Sequence, residues 1–132
     1  MACVDTLYGH QSEVTGIDCY LRDRPISIGR DRTARAWKIA EETHLIYRGG
    51  SKALSADCVS VVKDDWFFTG HEDGTISLWT TEKKKAVATF HSAHGHNKPM
   101  IVCCDALKGS DLAATGSCDG YLRLWNVGII VN

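Results

Sequence analysis

The sequence predicts an all-β protein built from about three similar four-stranded units. Three observations carry that reading. Short β-forming runs alternate with polar or glycine-containing turns along the chain, and helical periodicity is absent. An Asp followed six residues later by a Trp occurs three times, at Asp31–Trp37, Asp73–Trp79 and Asp119–Trp125. The three Trp residues are 42 and 46 residues apart, so a unit of nearly constant size repeats.

Each unit reads alike: a Gly-containing turn, an apolar strand, a polar turn, a second strand ending in small residues, the Asp turn, and a third strand ending in Trp. The copies are "GHQSEVTGIDCYLRDRPISIGRDRTARAW" (9–37), "GGSKALSADCVSVVKDDWFFTGHEDGTISLW" (49–79) and "GHNKPMIVCCDALKGSDLAATGSCDGYLRLW" (95–125). "THLIY" (43–47) and "AVATF" (86–90) are the intervening fourth strands, each after a charged turn. "VDTLY" (4–8) reads as the last strand of a preceding unit, and "GIIVN" (128–132) as a stub. The expected division is 4–8, then repeats at 9–47, 48–91 and 92–132, with about twelve strands in all. The repeat length is that of a four-stranded propeller blade, roughly 40–45 residues.

Bulk properties narrow the classes. A chain of 132 residues with 44% hydrophobic and 23% charged residues is long enough for a real core. A formal charge of -1 and a pI near 6.6 give no overall drive toward nucleic acid or acidic membranes, which leaves room for a local basic patch. No apolar run reaches membrane-spanning length, and "MACVDTLYGH" lacks the basic start and apolar stretch of a secretory signal. Of the six cysteines, Cys19, Cys58 and Cys104 fall in apolar strand-like segments, where a reduced thiol acts as a small buried hydrophobe.

With these motifs in hand, the whole chain resembles the WD-repeat (WD40) β-propeller family, as a fragment of about three four-stranded blades. In that family a Gly-His pair opens the repeat, a Ser or Thr lies on the second strand, and the turn Asp and strand-ending Trp complete a buried hydrogen-bonded network. The resemblance implies His10, Ser27, Asp31 and Trp37 for the first blade, and His96, Thr115, Asp119 and Trp125 for the third, with His94 competing for the place of His96. The second blade offers Thr69, Asp73 and Trp79, but Gly49-Gly50 replaces Gly-His, so its network is expected to be incomplete. The physical logic is that a hydroxyl can bridge to the indole N–H, the one polar atom of a large buried ring, while an Asp can accept from turn amides and an imidazole. All three Asp residues are expected to be buried or half-buried. On this reading the signature is structural and no catalytic residue is assigned.

The order of "TLYGHQSEVTGIDC", "GRDRTARAWKI", "EETHLIYRG", "HSAHG" and "DLAATGSCDGYLRLW" is similar to the WD-repeat proteins of the U3 small nucleolar ribonucleoprotein. That resemblance implies a scaffold binding U3 small nucleolar RNA and core ribonucleoproteins during pre-ribosomal RNA processing in the nucleolus. No cofactor, metal or membrane contact is implied. The alternative is a WD adaptor that binds protein peptides and no RNA. A closed WD propeller usually has seven blades. The chain is therefore expected to be a fragment of a longer protein, or a piece that pairs with copies of itself through open edges.

Turns before the first strand and between the second and third strands should emerge on one face of a propeller. Candidate partner-binding residues there are Gln11, Arg30, Arg32, Lys52, His71 and Lys98, accompanied by Ser12, Glu72 and Asn97. Arg30 and Arg32 flank the network Asp and suit phosphate contacts, with a solvated turn or interblade ion pair as the plainer alternative. Arg22 and Arg24 belong to the opposite face, and "EKKK" (82–85) reads as a solvated hairpin. His91, His94 and His96 with Cys103 and Cys104 lack the spacing of a zinc finger, and adjacent strand residues face opposite ways. No oriented base or oxyanion donor accompanies those cysteines, and no P-loop or Rossmann glycine pattern is present.

Overall fold

The computed structural model describes residues 1–3, 6–20, 24–39, 43–48, 55–63, 65–91, 93–95, 97 and 99–128. Among them are eleven strands. β1 (Val14–Cys19), β2 (Pro25–Gly29), β3 (Thr33–Lys38) and β4 (Thr43–Arg48) form the first sheet. β5 (Ala56–Lys63), β6 (Trp66–His71), β7 (Ile76–Thr80) and β8 (Ala88–Phe90) form the second, and β9 (Ile101–Ala106), β10 (Leu112–Ser117) and β11 (Leu122–Asn126) the third. Each sheet is an antiparallel meander in chain order. This is the all-β, bladed architecture that the repeat predicts.

Two expected segments fare differently. Thr6, Leu7 and Tyr8 are not in a strand, while Val4 and Asp5 lie outside the described residues. Residues 129–132 also lie outside them, so the third sheet has three strands among the described residues.

The sheets stack face to face. Ile26, Ile28, Ala34 and Tyr47 of the first blade pack on Val59, Val61, Phe67 and Trp79 of the second. Phe67 stacks on Trp79 at 6.1 Å between centroids, and Tyr47 meets Phe67 edge-on at 5.5 Å. The other face of the second blade, with Phe68, Ile76 and Leu78, packs on Ile101, Ala113 and Trp125 of the third. This position explains the burial patterns: β7 is buried along its whole length, as a strand with neighbours on both faces must be. In β11 the register leaves Leu122 and Leu124 on a face open among the described residues, 70% and 67% exposed.

Polar staples join the blades near the inner strands. Thr15 donates to the Ala56 carbonyl at 2.7 Å, and Asp18 accepts from the Val61 N–H at 2.7 Å. Lys108 reaches Asp18 from the third blade, and Lys63 pairs with Asp111 at 2.6 Å. Burial works against the Asp18 charge, but Lys108 and the Val61 amide outweigh it and hold the carboxyl below its ordinary range. Cys58 is buried and Cys104 half-buried as expected, but Cys19 is exposed because it ends β1 at the sheet edge. Hydrogen bonding with Cys58 and then burial push the Cys104 thiol up, which disfavours the thiolate a nucleophile needs.

Candidate functional site

In the first blade the repeat residues form one continuous network. The Trp37 indole N–H donates to Ser27 Oγ at 2.8 Å, and Ser27 Oγ lies 2.7 Å from His10 Nε2. His10 Nδ1 is 3.0 Å from each Asp31 oxygen. An indole can only donate and a carboxylate can only accept. One assignment satisfies every atom: Trp37 donates to Ser27, the Ser27 hydroxyl to His10 Nε2, and His10 Nδ1–H to Asp31. Asp31 also accepts from the Gln11 N–H at 3.0 Å, the Thr33 N–H at 3.2 Å and the Thr33 hydroxyl at 2.8 Å. Burial opposes its charge, yet the bonds from Gln11, Thr33 and His10 prevail and bring its pKa down to about 2.

Two further residues complete this corner. Arg35 lies on the same face of β3 as Thr33 and Trp37, is buried, and sets Nη2 3.7 Å from Asp31. Its Nη1 donates to His44 Nε2 at 2.7 Å. Burial, then the Arg35 charge, lower the His44 pKa and keep its imidazole a neutral acceptor. Neither residue belongs to the sequence-level set. The signal for Arg35 was the odd-numbered alternation Thr33, Arg35, Trp37 along β3, next to the turn that holds Asp31.

The other blades vary the arrangement. In the third, Trp125 donates to Thr115 Oγ1 at 2.9 Å, and the histidine that meets Thr115 is His94, at 2.8 Å. His96 lies outside the described residues. His94 Nδ1 stands 3.5 Å from Asp119, too long to complete the chain, and Asp119 is exposed where a buried or half-buried residue was expected. The Asp119 carboxylate accepts instead from Ser117 and from the Tyr121 N–H, within its own turn. In the second blade Trp79 donates to Thr69 Oγ1 at 3.0 Å, and the histidine beside Thr69 is His71, at 2.9 Å. His71 comes from the end of β6 itself. A residue expected on the partner-binding face thus fills the gap left by Gly49-Gly50, two residues outside those described.

The turn between β2 and β3 presents the two arginines. Arg30 and Arg32 are exposed on either side of Asp31. Glu13 accepts the Arg30 N–H at 2.9 Å through its carbonyl, and Ser55 donates to the Arg30 carbonyl at 3.4 Å. The Ser12 hydroxyl, the Glu13 N–H and the Arg30 charge hold the Glu13 carboxyl below its usual range, against slight burial. Arg32 has φ 64°, while the equivalent turns place Gly74 (φ 81°) and Gly120 (φ 85°) there. A left-handed backbone costs an L-residue about 1 kcal/mol that glycine does not incur. Gln11 joins this group through its N–H to Asp31. Lys52, Lys98 and Arg22 lie outside the described residues.

Between the first and second blades is an open cleft of about 420 Å³. Its walls carry Arg32, Arg48, Lys85, His71, His91 and Asp73. Strand register brings Arg48 opposite Thr33, so both arginines sit at the end of the blade where the β2–β3 turn emerges.

A model of the WD domain, G-beta repeat, matches residues 1–38, 54–80 and 84–126. The chain is 37% identical, over 94% of its length, to U3 snoRNP-associated protein-like EMB2271 of Arabidopsis thaliana, of which it covers 28%. It is 36% identical, over 67% of its length, to U3 small nucleolar RNA-interacting protein 2 of Mus musculus, of which it covers 20%. Among solved structures it superposes on one titled "Structure of U3-55K" with a TM-score of 0.86 and 36% identity, over 93% of this chain and 39% of that one. The chain therefore spans well under half the length of these relatives. Repeat, network and matched residues agree: the chain belongs to the WD40 family, with relatives among the proteins of the U3 small nucleolar ribonucleoprotein.

Proposed function

We propose that this chain is part of a non-catalytic scaffold that binds U3 small nucleolar RNA and its ribonucleoprotein partners during pre-ribosomal RNA processing in the nucleolus. One observation carries the reading: similarity to relatives named for that particle runs through the whole fold, at 36% identity and a TM-score of 0.86. The geometry supports it. The Asp31 network anchors the turn that exposes Arg30 and Arg32, so the two guanidinium groups are offered from a rigid base, as phosphate positioning requires. The strained backbone of Arg32 fits a functional residue, because a glycine would serve the turn better.

The test is binding of U3 small nucleolar RNA by this chain, alone and with the core ribonucleoproteins. Uptake of RNA supports the reading. Binding of the proteins with no contribution from RNA moves the chain to the peptide-binding adaptor class.

A further inference from the structure

In the first and third blades a histidine, His10 or His94, stands beside the Trp–hydroxyl pair. In the second blade His71 takes that role from within β6, and an open cleft lies between this blade and the first. At about 420 Å³ it falls within the roughly 300–1,000 Å³ usual for ligand sites. Small side chains, Ala34, Ala56 and Ala86, keep it open, and buried Tyr47 and Trp79 make it firm.

The charge on its walls is one-sided. Arg32, Arg48 and Lys85 face a single carboxylate, Asp73, and two imidazoles, His71 and His91. Among the described residues no carboxylate lies within ion-pair distance of Arg32, Arg48 or Lys85. Three cations in one concave place, with no carboxylate paired to them among the described residues, form an anion site, and two guanidinium forks suit the oxygens of a phosphate. Arg32 keeps its place at the cleft despite a left-handed backbone that glycine would adopt more readily.

We propose that the cleft between the first and second blades binds one phosphodiester of a single-stranded RNA through Arg32, Arg48 and Lys85. The proposal rests on the RNA-binding reading above and adds a location and two residues, Arg48 and Lys85, that the turn arginines do not include. A single strand suits a cleft of this size, since one nucleotide can enter while the flanking backbone runs over the exposed turns.

The experiment titrates the 132-residue chain with a short oligouridylate at several salt concentrations. The double variant Arg48→Ala/Lys85→Ala is compared with the charge-matched control Arg24→Ala/Arg123→Ala, which removes two exposed cations elsewhere. The expected result is binding weakened on the order of tenfold, with a salt slope smaller by up to about 0.7, the value of one neutralised single-strand phosphate. The control should change neither to that extent. Arg32→Gly provides the check on folding, since it relieves strain and should weaken binding while raising the melting temperature. Equal behaviour of cleft variant and control overturns the proposal, and retained U3 RNA binding then shows that the broader reading survives it. A chain that ignores oligouridylate but takes up poly-aspartate in an Arg48- and Lys85-dependent way also overturns it, assigning the cleft to carboxylates of a protein partner.

Discussion

His10 and Trp37 meet on a single oxygen, Ser27 Oγ, at 2.7 and 2.8 Å. One hydroxyl thus satisfies the indole of the third strand and the imidazole of the incoming loop. It also passes the order on to Asp31, where the turn begins. Ser27→Ala should leave both ring nitrogens without their partner and destabilise the chain by about 1–3 kcal/mol. Ser27→Thr should recover most of that loss, because Thr69 and Thr115 make the same bond in the other blades. Urea midpoints for the three proteins measure it, and equal losses for Ala and Thr would place the cost in packing.

Asp31 makes stability depend on acid. Its pKa is about 2 in the folded chain against 3.8 ordinarily. The stabilisation is therefore complete above about pH 3.8 and is lost as pH falls through about 2. Asp31→Asn should be less stable near neutrality and should lose this part of the acid dependence. Urea midpoints of the two proteins, followed down in pH, should converge. Parallel curves would show that the Asp31 charge has no role.

Gly70 lies where the second and third blades meet. A methyl group there would collide with Ile101 and lie 2.6 Å from Cys58 Sγ. Gly70→Ala should cost about 1–3 kcal/mol by overpacking. Thermal unfolding checks this, and an unchanged melting temperature would mean that the two blades do not pack closely at that point.

Arg32→Gly should stabilise the fold by roughly 1 kcal/mol, since Gly74 and Gly120 already hold the equivalent positive-φ positions. The gain should appear as a higher melting temperature. A lower one would show that the Arg32 side chain contributes more to the fold than its backbone costs.

Leu112, Leu122 and Leu124 are exposed on the open face of the third blade. The isolated 132-residue chain should therefore self-associate at high concentration. Light scattering decides this, and a stable 14.5 kDa particle would contradict it.

The fold was legible because each blade repeats the same local chemistry, and Trp37, Trp79 and Trp125 each donate to a hydroxyl ten residues earlier. What was not legible depends on three dimensions. The place of His71 beside Thr69 follows from how β6 ends, and sequence spacing gave no sign of it. The place of His94 beside Thr115 depends on the loop's path, since the Gly-His pattern of the sequence favours His96 and leaves His94 only as a competitor. Arg35 reads as a surface cation until its strand face is known to be the network face. The cleft likewise unites residues from six strands of two sheets, and only the packing of two blades reveals it.

The most direct measurement is the salt dependence of U3 small nucleolar RNA binding by this chain and by its Arg30→Ala/Arg32→Ala variant. The scaffold reading predicts saturable binding by the parent chain. It also predicts that the variant binds more weakly to every RNA sequence, with a salt slope lower by up to about two units. No binding by the parent chain, with or without the core ribonucleoproteins, would contradict it.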